Sequence, residues 1–218
     1  EKTELEVKIS LTPSSKKKAI LTLGEDIEYP EPYSRDRILI PSKAIHSCYA
    51  FIDRRSGNYT PAFTKVVRDR STKIKVKEET QEVRKDKIVM LRRGEKHLEE
   101  LSAIDVNRYI SELAREKDQP LEYIGEFVKQ SKEAFVFNPT SGRIFVVATN
   151  ICNVESNPNT LYQLEAEYYG QINGFSSLRG VEDELAGLTE GILKNLPRGY
   201  SGKNTTLTKF DWLVKCVK

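Results

Sequence analysis

The chain has 218 residues, 38% of them hydrophobic and 31% charged, which is enough to bury one domain-sized core while leaving an unusual number of charges to place. Its 35 basic and 32 acidic residues leave a formal net charge of +3, too balanced for a domain that grips a DNA duplex through a strongly basic face. It shows no signal peptide and no apolar run long enough to span a bilayer, and the missing initiator Met fits a trimmed chain or one domain of a longer protein.

Glu4 to Leu11 alternates strictly between charged and apolar side chains, the period of a strand. Pro13 and the following Ser-Ser-Lys-Lys-Lys run break it, and residues 25–37, rich in Pro, Glu and Arg, read as loop. Residues 48–53 suit a second strand, with a turn at Ser56-Gly57-Asn58. Phe63 to Arg70 and Lys73 to Lys77 form two more strands about a turn at Ser71-Thr72, and residues 87–93 form another. Leu98, Leu101, Tyr109, Ile110 and Leu113 recur at helical spacing over residues 98–117, with cations late, and Pro120 marks the end. Residues 122–137 and 143–150 flank the turn Asn138 to Gly142, and residues 161–169 alternate again. A second helix spans 180–196 on a stripe of Val181, Leu185, Leu188, Ile192 and Leu196. The last short element, helix or strand, carries Phe210, Trp212, Leu213 and Val214. Many strands joined by short turns, with two main helices, predict an α+β fold built on an antiparallel sheet.

Cys48, Cys152 and Cys216 are odd in number and widely spaced, which fits reduced thiols in a cytoplasmic protein rather than a disulfide framework. His46 and His97 stand alone, so no zinc cluster can be assembled from them, and a lone histidine is read as structural rather than as a base. Gly199 to Thr205 looks like a phosphate loop but fails the spacing, and Asn204 follows Lys203 where Ser or Thr is required; a flexible loop is the expectation.

The informative pattern is which charges share a strand face. Side chains two apart point the same way, about 7 Å apart. Glu4, Glu6 and Lys8 form one such stripe, Arg68 and Arg70 a second, Lys73, Lys75 and Lys77 a third, and Glu165 and Glu167 a fourth. A solvated sheet face accounts for any single stripe. Several like-charged stripes together are better explained by something that neutralises each: phosphate oxygens for the cations, and a hard divalent cation such as Mg²⁺ or Mn²⁺ for the carboxylates.

These segments, in this order, resemble the CYTH or triphosphate tunnel metalloenzyme superfamily. Glu4-Leu5-Glu6-Val7-Lys8 resembles its opening ExExK strand, and Tyr49 to Asp53 the early strand before its basic strands. Val67 to Arg70 and Lys73 to Lys77 resemble its RxR and lysine strands, and residues 129–150 its next hairpin. Gln163 to Tyr168 resembles its late ExE strand, and Thr208 to Leu213 its C-terminal lysine motif. The resemblance implies a closed or nearly closed eight-stranded antiparallel β-barrel, a triphosphate tunnel, in one domain over residues 1–218 with helices outside. It further implies Mg²⁺ or Mn²⁺ as cofactor and a triphosphate-bearing small molecule or nucleotide as partner, with no membrane and no DNA duplex. The implied activity is metal-dependent hydrolysis of inorganic triphosphate, a nucleoside triphosphate or thiamine triphosphate. The alternatives are a class IV type adenylate cyclase and a non-catalytic nucleotide- or polyphosphate-binding module.

Carried over by position, Glu4, Glu6, Glu165 and Glu167 would hold the metal, and Lys8 would join them in the catalytic set. Arg68, Arg70, Lys73, Lys75, Lys77, Lys129, Lys132, Arg143 and Lys209 would contact the triphosphate. The chain departs from the family at two places: the hairpin offers Lys129, Lys132 and Arg143 where a basic strand is usual, and Asn150 stands where an acid is usual.

Overall fold

The structure is a computed structural model that describes residues 2–13, 18–69, 71–77, 80–98, 103–172 and 178–218. In chain order the elements are β1 (Lys2–Pro13), α1 (Lys18–Leu21), α2 (Leu23–Asp26), β2 (Ser34–Ile38), β3 (Ser42–Ile52), β4 (Tyr59–Arg68), β5 (Ser71–Lys77), β6 (Gln81–Lys85), β7 (Ile88–Leu98), α3 (Ala103–Lys117), β8 (Leu121–Asn138), β9 (Arg143–Asn153), β10 (Thr160–Gln171), α4 (Val181–Lys194), β11 (Tyr200–Thr205) and α5 (Lys209–Val217). No helix among the described residues is long and apolar enough to cross a membrane.

Eight strands close into a barrel in the order β1-β10-β9-β8-β3-β4-β5-β7, every pairing antiparallel, and β7 returns to β1 with Glu4 opposite Arg93. Closure removes the exposed edges that an open sheet would carry. Three long strands change partner along one edge. β1 pairs with β7 over Lys2–Glu6 and with β11 over Lys8–Pro13. β7 pairs with β6 and then with β5, and β8 pairs with β3 and then with β2. The wall is therefore closed around its middle and splays into extra strands towards its rims.

The strict alternation of β1 decides which way the charges face. Leu5, Val7 and Ile9 point outward and are buried with Leu164 and Ala166 of β10, Phe145 and Val147 of β9, and Leu185, Leu188 and Ile192 of α4. The apolar stripe of α4 is thus the outer lid of this side. On the other side Ile74 of β5 faces outward against Val106 of α3, with Tyr109, Ile110 and Leu113 around it. Pairing outward Ile74 and Val76 with a helix leaves Lys73, Lys75 and Lys77 on the inner face.

The third apolar cluster closes one end of the barrel. Trp212 and Leu213 of α5 pack with Cys48, Phe127, Cys152 and Leu161, and the Trp212 and Phe127 rings meet edge to face at 5.8 Å. A β-bulge opposite Cys48 and Tyr49 bends β8 at Gly125, whose φ is 153°. A Cβ there would stand 3.3 Å from Val217 Cγ1, so the bare backbone lets α5 approach. Thr208 caps α5 by a reciprocal box with Asp211.

The barrel, both main helices and the helical last element agree with the sequence reading. Four local readings change. Residues 25–37 contain the end of α2 and most of β2 rather than loop alone. Ser71 and Thr72 begin β5, and the chain reverses before them at Asp69, which has φ 51°. Residues 200–205 form β11, because β1 runs past the point where β7 leaves it and needs a partner there. Leu98 ends β7 rather than starting a helix.

Candidate functional site

Inside the barrel is a cavity of about 550 Å³. Its wall carries the cations Lys8, Lys75, Lys77, Arg93, Lys129 and Lys209 and the carboxylates Glu4, Glu6, Glu133, Glu165, Glu167 and Asp211. Register explains the grouping. Glu6 lies opposite Glu167 and Lys8 opposite Glu165 across β1 and β10, while Glu4 lies opposite Arg93 on the other edge of β1. Side chains opposite each other on one face stand about 5 Å apart, so the two glutamate stripes merge into one acidic wall.

Glu4, Glu6, Glu95 and Glu165 each meet a cation. Lys8 Nζ is 2.9 Å from Glu6 Oε2 and donates to Glu165 Oε1. Lys209 reaches in from α5 and donates to the same Glu165 oxygen at 2.6 Å. Arg93 bridges Glu4, at 3.2 Å from Oε2, and Glu6. Lys77 is 3.2 Å from Glu4 Oε2 and 3.4 Å from Glu95 Oε2, and Lys75 donates to Glu95 Oε1 at 2.7 Å.

Burial acts on all of these groups and their neighbours decide the outcome. Burial would raise the Glu165 carboxyl, but the ammonium groups of Lys209, Lys8 and Lys129 outweigh it and hold the group well below the usual carboxylate range. Glu4 is raised, first by burial and then by its hydrogen bond with Glu95. Burial lowers Lys209 to about 7, against the attraction of Glu165 and with the repulsion of Lys8 and Lys129. Burial likewise lowers Lys129. His46 is lowered to about 2 by burial and by the cations Lys129, Lys209, Lys75 and Arg68, so it lies in the wall as a neutral ring stacked on Phe127 at 4.9 Å.

Asn150 is fully buried at the inner end of this wall. Its amide nitrogen donates to Glu165 Oε2 at 2.8 Å, and its oxygen accepts from the Ser131 hydroxyl at 2.8 Å. An amide here orients Glu165 without adding a charge.

Of the residues named from sequence, Glu4, Glu6, Lys8, Lys75, Lys77, Lys129, Glu165, Glu167 and Lys209 share the cavity wall. Arg68 sits exposed at the end of β4, and Lys73 lies at the far end of the lysine stripe, opposite Val66. Neither lines the cavity. Arg70 lies outside the described residues. Two assignments are corrected. Lys132 has the opposite parity to Lys129 on β8 and pairs with Glu25 outside the barrel. Arg143, at the start of β9, binds Glu184 and the Arg179 carbonyl.

The sequence reading left Arg93 out of the site and, by ending that strand at 93, left out Glu95 as well. Continued to Leu98, the period of two puts Arg93, Glu95 and His97 on the face of Leu91, so an R-x-E stripe was there to be found. It also missed that β9 offers the lumen Val146 and Ala148 rather than cations, which leaves that wall neutral.

The carboxylates are an all-oxygen donor set on adjacent strands, which fits a hard divalent cation in kind. Among the described residues no three of them are gathered into a ligating group, and Lys8, Arg93 and Lys77 occupy their oxygens instead.

No family model and no curated protein matches the chain. Among solved structures the chain is similar to the S. pombe RNA triphosphatase Pct1, in its complex with the Spt5 CTD. The identity is 10%, the TM-score 0.35, and the match covers 90% of this chain and 80% of that one.

Proposed function

We propose that the barrel binds a triphosphate-bearing substrate in its lumen and hydrolyses the terminal phosphoanhydride with Mg²⁺ or Mn²⁺. The observation that supports this most is the presence of six cations and six carboxylates on the wall of one cavity. A solvated sheet face needs no such enclosure.

In this reading Lys8, Lys75, Lys77, Arg93, Lys129 and Lys209 take over the phosphate oxygens. Lys8, Lys75, Lys77, Arg93 and Lys209 now pair with carboxylates, so a phosphate chain would replace like with like. Glu4, Glu6, Glu165 and Glu167 would hold the metal, which when bound supplies Lewis-acid polarisation of phosphate oxygens. Lys8 and Arg93 would then turn from glutamate to phosphate, and fixed cations in a dry cavity stabilise charge that develops on the transferred group. Asn150 keeps the Glu165 carboxylate aimed at the lumen.

One observation favours a second reading, binding without turnover. Asn150 brings no carboxylate where an acid would serve.

Phosphate release from tripolyphosphate, ATP and thiamine triphosphate, each with Mg²⁺ and with Mn²⁺, tests both. Turnover that disappears in a Glu4→Ala/Glu6→Ala double variant supports hydrolysis. Equal turnover in that variant removes these glutamates from the site. Tight tripolyphosphate binding with no release under either metal leaves the binding module, and cyclic AMP from ATP would point to a cyclase.

A further inference from the structure

The acid that Asn150 does not supply stands on the neighbouring strand. On β8 the parity of Lys129 runs through Ser131 to Glu133, and Glu133 lines the same cavity. Register sets it in line with the acidic wall: Glu133 lies opposite Ala148 of β9, and Ala148 lies opposite Glu165 of β10. Two strand spacings, roughly 9–10 Å, separate the backbones of the two glutamates, and the side chain between them is a single methyl group. β8 pairs with β3 as far as Ser131 and with β2 from Ala134, so Glu133 sits at the changeover, where the wall splays towards its rim. The Leu39 amide donates to the Glu133 carbonyl at 2.8 Å and fixes the backbone there.

Its partners set Glu133 apart. Glu4 is held by Lys77 and Arg93, Glu6 by Lys8 and Arg93, and Glu165 by Lys8, Lys209 and Asn150. These three, with Glu167, are the carboxylates given to the metal above. Asp211 closes the capping box of α5. Among the described residues no cation stands within 4 Å of the half-buried Glu133 carboxylate, and its neighbour Lys132 turns away to Glu25. Lys129, four residues back along β8, attracts it from further off. A carboxylate clamped by ammonium or guanidinium groups, or by a metal, is a poor acceptor for a proton, and Glu133 carries no such clamp.

Resting on the hydrolysis reading above, we propose that Glu133 is the catalytic base, which takes the proton of the attacking water across the gap left by Ala148. The water oxygen attacks the terminal phosphorus, and its proton passes to a Glu133 carboxylate oxygen. The bond from that phosphorus to the bridging oxygen breaks, and diphosphate, or the nucleoside diphosphate, leaves with its electron pair. Glu133 then returns the proton to solvent at the changeover in the wall. The division of labour follows from the contacts: the carboxylates opposite are tied to cations, and the one that has to give and take a proton is tied to none. Asn150 orients Glu165 and need not be an acid, because β8 supplies one from the other side of β9.

Steady-state phosphate release from tripolyphosphate with Mg²⁺ is compared with titration calorimetry on diimidotriphosphate, whose P–N–P bridges resist hydrolysis. Glu133→Gln should lower kcat about 10²–10⁴-fold, the usual worth of a positioned base. Diimidotriphosphate affinity and the half-saturating Mg²⁺ concentration should stay within about threefold of the wild type, which also shows that the variant is folded. Glu133→Asp, a carboxylate one methylene further back, should recover part of the lost rate. A Glu133→Gln variant with wild-type kcat overturns Glu133 as the base and leaves the hydrolysis reading standing. So does a variant whose loss lies in diimidotriphosphate affinity or in the Mg²⁺ requirement, since Glu133 would then hold ligand or metal. A wild type that releases no phosphate overturns both.

Discussion

Asn150 donates its amide to Glu165 Oε2 at 2.8 Å while Lys8 and Lys209 share the other oxygen of the same carboxylate. Both oxygens of Glu165 are thereby satisfied. Asn150→Asp would place a fully buried carboxylate against it and lose the amide donor. The variant should lose about 1–3 kcal/mol of stability, the usual cost of a buried polar group left unpaired, read from urea unfolding. Added Mn²⁺ should restore more stability to the variant than to the wild type, because two adjacent carboxylates make a better oxygen site.

Lys75 and Arg68 separate an inner from an outer cation. Lys75 lines the cavity, whereas Arg68 is exposed at the end of β4 and does not. Lys75→Ala should weaken tripolyphosphate binding about tenfold or more, the loss of one charge-assisted contact. Arg68→Ala should change it less than about threefold, as expected of a charge acting through water. Titration calorimetry on both variants measures the difference.

His46 is lowered to about 2 by burial and by the cations around it, from an ordinary value of 6.5. Below pH 6.5 the unfolded chain takes up a proton that the folded chain refuses. Its share of stability is therefore intact above that pH and is lost as pH falls through the window from 6.5 towards 2. The slope reaches about 1.4 kcal/mol per pH unit. Between pH 7.5 and 5.5 the wild type should lose about 1.4 kcal/mol more stability than His46→Gln, in paired urea titrations.

Gly191 marks where α4 passes the loop after α2. A Cβ there would stand 2.1 Å from Pro30 Cγ and 2.6 Å from Pro30 Cβ. Alanine is the better helix former, yet Gly191→Ala should destabilise by about 1–3 kcal/mol, because the stiff proline ring has to move. Gly187, on the same helix with open space around it, should gain about 0.5–1 kcal/mol from the same change. Thermal melts of the two variants should shift in opposite directions.

The strand alternation alone was enough to orient β1, β5 and β10. Leu5, Val7 and Ile9 had to be buried on one side, so Glu4, Glu6 and Lys8 had to share the other. The same parity carries Lys75, Lys77, Glu165 and Glu167, and it would have carried Arg93 and Glu95 had that strand been followed to its end. Parity failed where it was not consulted. The resemblance implies Lys132 beside Lys129 in the phosphate grip, but their odd separation sends Lys132 through the wall to Glu25. Arg143 sits at a strand end, where contacts with α4 rather than the sheet decide its direction.

A period of two is a local property of the backbone, so the amino-acid order by itself determined which side chains travel together on each strand. It could not determine that the two sides of the sheet become an inside and an outside. That followed from β7 returning to β1, from α4 and α3 covering the apolar surfaces, and from α5 delivering Lys209 to Glu165 across 44 positions of chain. The bulge between Tyr168 and Gly170 is likewise a matter of register between β9 and β10.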